Sequence, residues 1–319
     1  MAIESLIQTF RSLFAFPAIW LSGIIAALGI LGTYITYTIF GLWLAVMVAL
    51  LTVLIVPFFF AGTYGILLDN NKKKGAFIIY GAYGYFKTLL PWLFLLLITI
   101  VGTLALNYFL IIIGISDSFR MIISCLIIFP IIFYCYFADI SAIRHNLRTW
   151  QAIKDSAHKV STASFSVIAF YLFNILIIIF ILPLLFDLLF GLFGGTEILT
   201  AGLTDILSQF GITDLESSTA LSYQSILENI STMTEDDYLI IINEKIIPLF
   251  TNEVVLRAFF LSAALISLVS LPFLASFKTY YYQKMLLIQQ KIQQQKISTQ
   301  PGPDADGEFD EKGRWFKYK

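Results

Sequence analysis

The sequence predicts an all-α integral membrane protein with six transmembrane helices, and three observations lead there. Of its 319 residues 58% are hydrophobic and only 13% charged, with a mean hydropathy of +0.83. That leaves too little charge to cover a water-soluble globule of this length. No charged side chain lies between Arg11 and Asp69, a stretch well beyond the roughly 20 residues one crossing needs, so it holds two helices and a tight turn. Finally, a short polar or basic stretch leads into a pair of apolar spans three times, at 1–68, 72–143 and 148–283. Each second span carries a proline after a bulky apolar residue: Val56-Pro57, Phe129-Pro130 and Leu271-Pro272. This order reads as three repeated units of interfacial helix plus transmembrane hairpin.

The spans are expected at about 17–40, 43–68, 88–114, 119–143, 165–190 and 254–277, each long enough to cross with some tilt. The first turn falls at Phe40-Gly41-Leu42-Trp43, where glycine permits the bend and Trp43 suits the lipid–water boundary. Ahead of the first span, residues 3–14 place Ile3, Leu6, Ile7, Phe10, Leu13 and Phe14 on one helical face and Glu4, Gln8 and Arg11 on the other. That is the pattern of an amphipathic helix lying in the membrane interface. Residues 76–87 and 150–161 take the same place before the third and fifth spans. The first two units share a local pattern, Phe10-Arg11-Ser12-Leu13 against Phe86-Lys87-Thr88-Leu89, followed by Pro17 and Pro91; the third departs from it. No cleavable signal peptide is expected, because the N-terminus lacks a basic region ahead of a small-residue cleavage site.

Lysine and arginine set the sidedness. Lys72, Lys73, Lys74 and Lys87 follow the second span; Arg144, Arg148, Lys154 and Lys159 follow the fourth; the end of the chain adds Lys278, Lys284, Lys291, Lys296, Lys312, Arg314, Lys317 and Lys319. Between the fifth and sixth spans, residues 191–252 contain Lys245 alone against Glu197, Asp205, Asp214, Glu216, Glu228, Glu235, Asp236, Asp237 and Glu244. The positive-inside rule then gives a multi-pass protein of the cell membrane with both termini cytoplasmic and 191–252 external. The basic loops are expected to meet anionic lipid headgroups. The external insertion predicts a small helical cap: a stripe from Ile198 to Phe210 stops at Gly211, and Thr234 with Glu235-Asp236-Asp237 opens another helix. Asn229-Ile230-Ser231 is a glycosylation sequon on that side.

Residues 284–319 are read as a helical continuation of the last span to about Ile297, then a disordered linker around Gln300-Pro301-Gly302-Pro303-Asp304. The chain ends on Arg314-Trp315-Phe316-Lys317-Tyr318-Lys319. Aromatics alternating with positive charges make this a candidate docking tail for a cytoplasmic or membrane protein, or for anionic headgroups.

Chemistry inside the spans is sparse. Asn107 and Asn174 are single amides of the kind that hydrogen-bond a neighbouring helix, each contributing about 0.6–2 kcal/mol. Asp139 falls near the cytoplasmic end of the fourth span and Asp187 near the external end of the fifth, both close enough to the ends to snorkel. Arg257, at the start of the sixth, is a candidate partner for Asp187. His145 and His158 lack the i,i+4 spacing of two metal ligands on one helical face. Cys125 and Cys135 sit on one helix about 15 Å apart, too far for a disulfide. The sequence contains no nucleophile elbow, phosphate loop or metalloprotease motif. It therefore carries no expectation of catalysis, cofactor, metal or nucleic-acid binding.

Gly75-Ala76-Phe77 followed by the aromatic-basic approach through Phe86-Lys87, with the interfacial segment and hairpin before it, resembles the membrane region attached to some glycerophosphoryl diester phosphodiesterases, and prokaryotic integral membrane proteins that share it. The resemblance covers roughly 1–283 and implies a six-helix architecture. In those enzymes the catalytic barrel lies outside the membrane region, and here only a short tail follows the last span, so no phosphodiesterase activity or site residue is implied. Three classes of function stay open: a non-enzymatic membrane scaffold, anchor or accessory module for a partner protein or lipid; a permease-like transporter subunit; and an intramembrane enzyme. Few polar groups in the spans and the docking-like tail favour the first.

Overall fold

In the computed structural model, residues 2–69, 76–209, 242–298, 307–309 and 315–317 are described. Outside them lie Lys72, Lys73, Lys74, the sequon at Asn229, the expected cap at Thr234, the linker at 300–304, Arg314 and Tyr318. The described chain is helical almost throughout, apart from two three-residue strands in the tail.

Five helices are long and apolar enough to cross a bilayer: Pro17–Phe40, Leu42–Leu68, Ala76–Ile112, Val167–Leu192 and Glu253–Gln290. Their outer faces carry bare apolar side chains, such as Trp43 at 84% exposure, Leu184 at 68% and Ile112 at 66%. A continuous surface of that kind is untenable in water and marks a multi-pass membrane protein.

Helix α1 (Ala2–Ala15) is amphipathic and short. A 3₁₀ turn at Pro17–Trp20 leads from it into α2 (Leu21–Phe40), and the Trp20 indole N–H closes the corner by donating to the Leu13 carbonyl at 2.8 Å. Gly41, at φ +86°, makes the turn into α3 (Leu42–Leu68); a left-handed backbone at that point favours glycine. Helix α4 (Ala76–Ile112) is one continuous rod, about 55 Å long at 1.5 Å per residue. The second interfacial piece is thus the first three turns of the third span rather than a separate helix, because nothing at Lys87-Thr88 interrupts the backbone ladder. Helix α5 (Asp117–Cys135) follows.

The fourth expected span, 119–143, is broken. Tyr136-Phe137 separates α5 from α6 (Ala138–Arg144), and α7 (Thr149–Thr162) supplies the reason. Its Ser156 hydroxyl donates to the Tyr134 carbonyl at 2.8 Å and accepts from the Phe137 N–H at 3.2 Å. Backbone groups released by the break are therefore satisfied by a side chain of the next helix.

The fifth span comprises α8 (Ser164–Ile175), a π-helical stretch Leu176–Ile181 and α9 (Leu182–Leu192). The widened turn comes just ahead of Pro183, whose ring would otherwise clash with the carbonyl four residues back. A second π stretch, Ile242–Ile246, precedes Pro248 in the same way. Beyond α9, α10 (Gly195–Gln209) packs on α9, and α11 (Ile247–Thr251) leads into α12 (Glu253–Ser298). An exposed Asp205–Lys245 ion pair and a close contact of Gly195 with Ala258 hold this small assembly over the start of α12.

The opposite end of the bundle is the basic one, and there the packing is densest. A β-carbon on Gly65 would sit 2.3 Å from Cβ of Tyr80, and one on Gly84 would sit 2.9 Å from Cβ of Ala61, so these small residues let α3 and α4 touch. Phe137, Val160, Phe170, Phe277, Tyr281, Tyr282 and Met285 form the main buried cluster, joining α6, α7, α8 and α12. The Phe170 ring lies 4.3 Å from Tyr281 and 4.9 Å from Phe277. Helix α1 lies against α12 at this end, where Glu4 pairs with Lys284. In the tail, β1 (Gly307–Phe309) pairs antiparallel with β2 (Trp315–Lys317), Glu308 opposite Phe316. Trp315, Phe316 and Lys317 of the candidate docking tail thus lie in a short two-stranded ladder.

Candidate functional site

Two features at the junction of the basic end and the apolar bundle stand out: a closed ion pair and an open cavity that share a wall.

Asp139, in the first turn of α6, and Lys278, six residues past the proline of α12, form the ion pair. They are 1% and 4% exposed, and the ammonium donates to both carboxylate oxygens at 2.8 Å. The Trp92 indole N–H donates to Oδ2 at 3.0 Å and the Ile140 N–H to Oδ1 at 2.8 Å. Three rings surround the cation: Tyr136 with its centroid 4.3 Å from Nζ, Trp92 at 5.0 Å and Tyr64 at 5.8 Å. Cation–π attraction is strongest when the charge is desolvated, as here. The carboxylate's lone pairs and one face of the ammonium are already committed to these partners.

A second layer lies toward the surface. Asp155 pairs with Lys159 one turn along α7 and accepts from the Ser141 hydroxyl, while Lys159 Nζ donates to the Tyr282 hydroxyl at 2.8 Å. Burial pulls the Lys159 ammonium below the ordinary lysine range, with Asp155 pulling the other way. Arg144 donates to the Leu68 carbonyl at 3.0 Å and Gln283 to the Leu67 carbonyl at 2.7 Å. These cap the last turn of α3, where orphan carbonyls attract donors and positive charge. Polar side chains of α4, α6, α7 and α12 therefore tie the basic end together.

The cavity, of ≈ 820 Å³, lies in the apolar part of the bundle. Ala26 and Ile30 of α2, Val53 and Pro57 of α3, Leu93 and Leu96 of α4, Ile132 of α5 and Leu271 of α12 are among its walls, and Trp92 and Tyr136 separate it from the ion pair. Among the described residues no charged side chain lines it, and Thr52, Thr88, Thr99, Ser267 and Tyr136 are its hydroxyl-bearing residues. Pro57 has no N–H to offer the Val53 carbonyl, so α3 is free to bend there. Below that level, glycines bring α3 and α4 together; above it, the helices spread. A narrower gap of ≈ 360 Å³ flanks α5 on its other side, toward α8.

The residues expected from the sequence fare unevenly. Asp139 does not snorkel: it turns inward to Lys278, a residue the sequence reading had placed with the solvated lysines of the chain end. Asn107 and Asn174 do not bridge to neighbouring helices. Their amides turn back on their own helices, to the Thr103 carbonyl at 3.0 Å and the Phe170 carbonyl at 2.9 Å, because the i−4 carbonyl is the nearest acceptor. Asp187 and Arg257 are both exposed, and among the described residues no ion pair joins them. Trp92, Tyr136 and Lys278 are the residues that sequence reasoning passed over. The signal was available: Asp139 and Lys278 lie at matching depth, each just past a proline-containing apolar span. Among the described residues no group of three His, Cys, Asp or Glu side chains could hold a metal ion. No protein-family model, curated protein or solved structure matches the chain.

Proposed function

We propose that the protein is a six-crossing, non-enzymatic membrane module that anchors or organises a partner protein or lipid. The observation that carries this reading is the closed state of its buried charges: Asp139 and Lys278 neutralise each other inside an aromatic cage and are spent on structure. Helix α5 supplies the sixth crossing. The chain leaves the basic end with α4, reaches Ile112 at the far end, and is back beside Trp92 by Asp139, a return that takes it through α5. A permease-like subunit is the alternative, and the uncharged cavity lining offers a polar solute no path.

The same geometry supports a proposed sidedness. Helix α1, the ends of α3 and α6, and the far half of α12 meet at one end through Glu4–Lys284, Arg144–Leu68 and Gln283–Leu67. The lysines and arginines there make it the cytoplasmic end, with α10 and α11 external. A reporter fused after Lys319 is expected to read cytoplasmic and one inserted beside Ser217 external; the reverse pattern would overturn this arrangement.

The tail is the proposed contact with a protein partner. Removing 308–319 is expected to leave the thermal midpoint within about 1 °C of the intact chain. Since surface changes remote from the core alter stability by less than ~0.5 kcal/mol, the loss should fall on co-purifying protein, measured by mild-detergent affinity capture against the intact chain. Identical partner lists from both would count against docking through the tail.

A further inference from the structure

We propose that the cavity between α2, α3, α4, α5 and α12 is a binding site for one hydrocarbon chain of a phospholipid drawn from the cytoplasmic leaflet. The inference rests on the membrane-module reading and adds the ligand. A laterally open space of ≈ 820 Å³ admits three kinds of occupant. Water needs two to four polar partners each, and among the described residues no charged group lines the space. A helix from a second copy or a partner is about 10 Å across, so the space admits only about two of its turns, far short of a crossing. A flexible hydrocarbon chain fits both the shape and the chemistry. It also has a route: Val53, Leu93, Leu96, Ile100 and Ile132 line the cavity and are at the same time exposed on the outer surface. The cavity is open sideways, toward acyl chains.

Thr88 indicates the polar end. It lines the cavity one residue from Lys87, at the boundary of the basic end, and is 2% exposed. Thr33, Thr36, Thr52 and Thr63 each donate to the carbonyl one turn back in their helices. The Thr88 hydroxyl makes no such bond and has no partner. An ester carbonyl of a lipid in the leaflet at the basic end would accept that hydrogen and fix the chain's direction, tail toward the membrane centre.

The test uses the full chain in vesicles of phosphatidylethanolamine and phosphatidylglycerol, doped with a phosphatidylglycerol bearing a photoactivatable diazirine midway along one chain. After illumination, adducts at Leu93, Ile100 and Ile132 are expected to exceed several-fold those at Leu97 and Leu104, which are exposed but outside the cavity. Native mass spectrometry is expected to show one phospholipid on the wild type, and several-fold less in L96W, which narrows the space. T88V, close to isosteric, is expected to lower retention as well and serves should L96W fail to fold. Uniform labelling of all outward faces, a free fatty acid or second copy in place of phospholipid, or undiminished retention in both variants overturns the proposal. Failure of the chain to enter the vesicles would instead strike the membrane-module reading itself.

Discussion

Replacing Lys278 with methionine, or Asp139 with leucine, is expected to lower stability by about 3–5 kcal/mol, the largest loss for any single polar substitution in this chain. The magnitude comes from what is left behind. Each single variant strands the opposite charge at no more than 4% exposure, and an uncompensated buried charge is far costlier than the pair was favourable. Asp139→Leu also orphans the Trp92 indole N–H and the Ile140 N–H, so it should be the worse of the two. The double variant removes both charges and should recover most of the loss, because desolvating an ion pair roughly cancels its attraction. Thermal unfolding in detergent, followed by the monodisperse fraction on size exclusion, measures all three. If the double variant is as unstable as the worse single one, the pair contributes more than charge neutralisation, and its role extends beyond holding α6 to α12.

Most of the membrane architecture was legible because hydropathy is a one-dimensional property. The charge gap before Asp69 required two helices, and Gly41 between them was recognisable as the residue that turns the chain. The helical run through Tyr280-Tyr281-Tyr282 could be followed because Gln and Lys continue a helix without a breaker. What was hidden depended on pairing across the chain. Ser156 interrupts a helix that ended about twenty residues earlier, and periodicity within 119–143 contains no trace of it. Lys278 counted as a cytoplasmic charge in the positive-inside argument, which weighs lysines by side of the membrane and is blind to burial. Its true partner is 139 residues away. Trp92 carried no reading at all, yet its N–H fixes the carboxylate and its ring walls the cavity. The threefold repeat is an expectation of sequence rhythm alone: in three dimensions the three pieces differ, one hinged by a 3₁₀ turn, one fused to its span, and one separated from α8 at Ala163.

The same contrast between local pattern and distant contact gives the second large effect. Gly23 reads in the sequence, with Ala27 one turn on, as a small-residue pair for close helix packing, with no indication of which helix it meets. In the fold it meets α12 where Pro272 cannot donate to the Leu268 carbonyl, leaving that oxygen free to lean outward. A β-carbon on Gly23 would lie 2.1 Å from the Leu268 oxygen and 2.9 Å from Cδ of Pro272. Neither a backbone carbonyl nor a proline ring can rotate away, so α2 and α12 must separate. Overpacking a core costs about 1–3 kcal/mol when side chains can yield; here Gly23→Val is expected at or above the top of that range. Gly102→Ala is the control: nothing lies within 4 Å of its added methyl, and alanine is favoured over glycine in a helix interior by up to ~1 kcal/mol. It should leave the thermal midpoint unchanged or raise it slightly. Because Ala26 lies one turn along from Gly23 and lines the cavity, Gly23→Val should also widen that space. Binding of an environment-sensitive dye in mild detergent would report the change, and equal midpoints for G23V and G102A would remove the close α2–α12 contact from the account of this bundle.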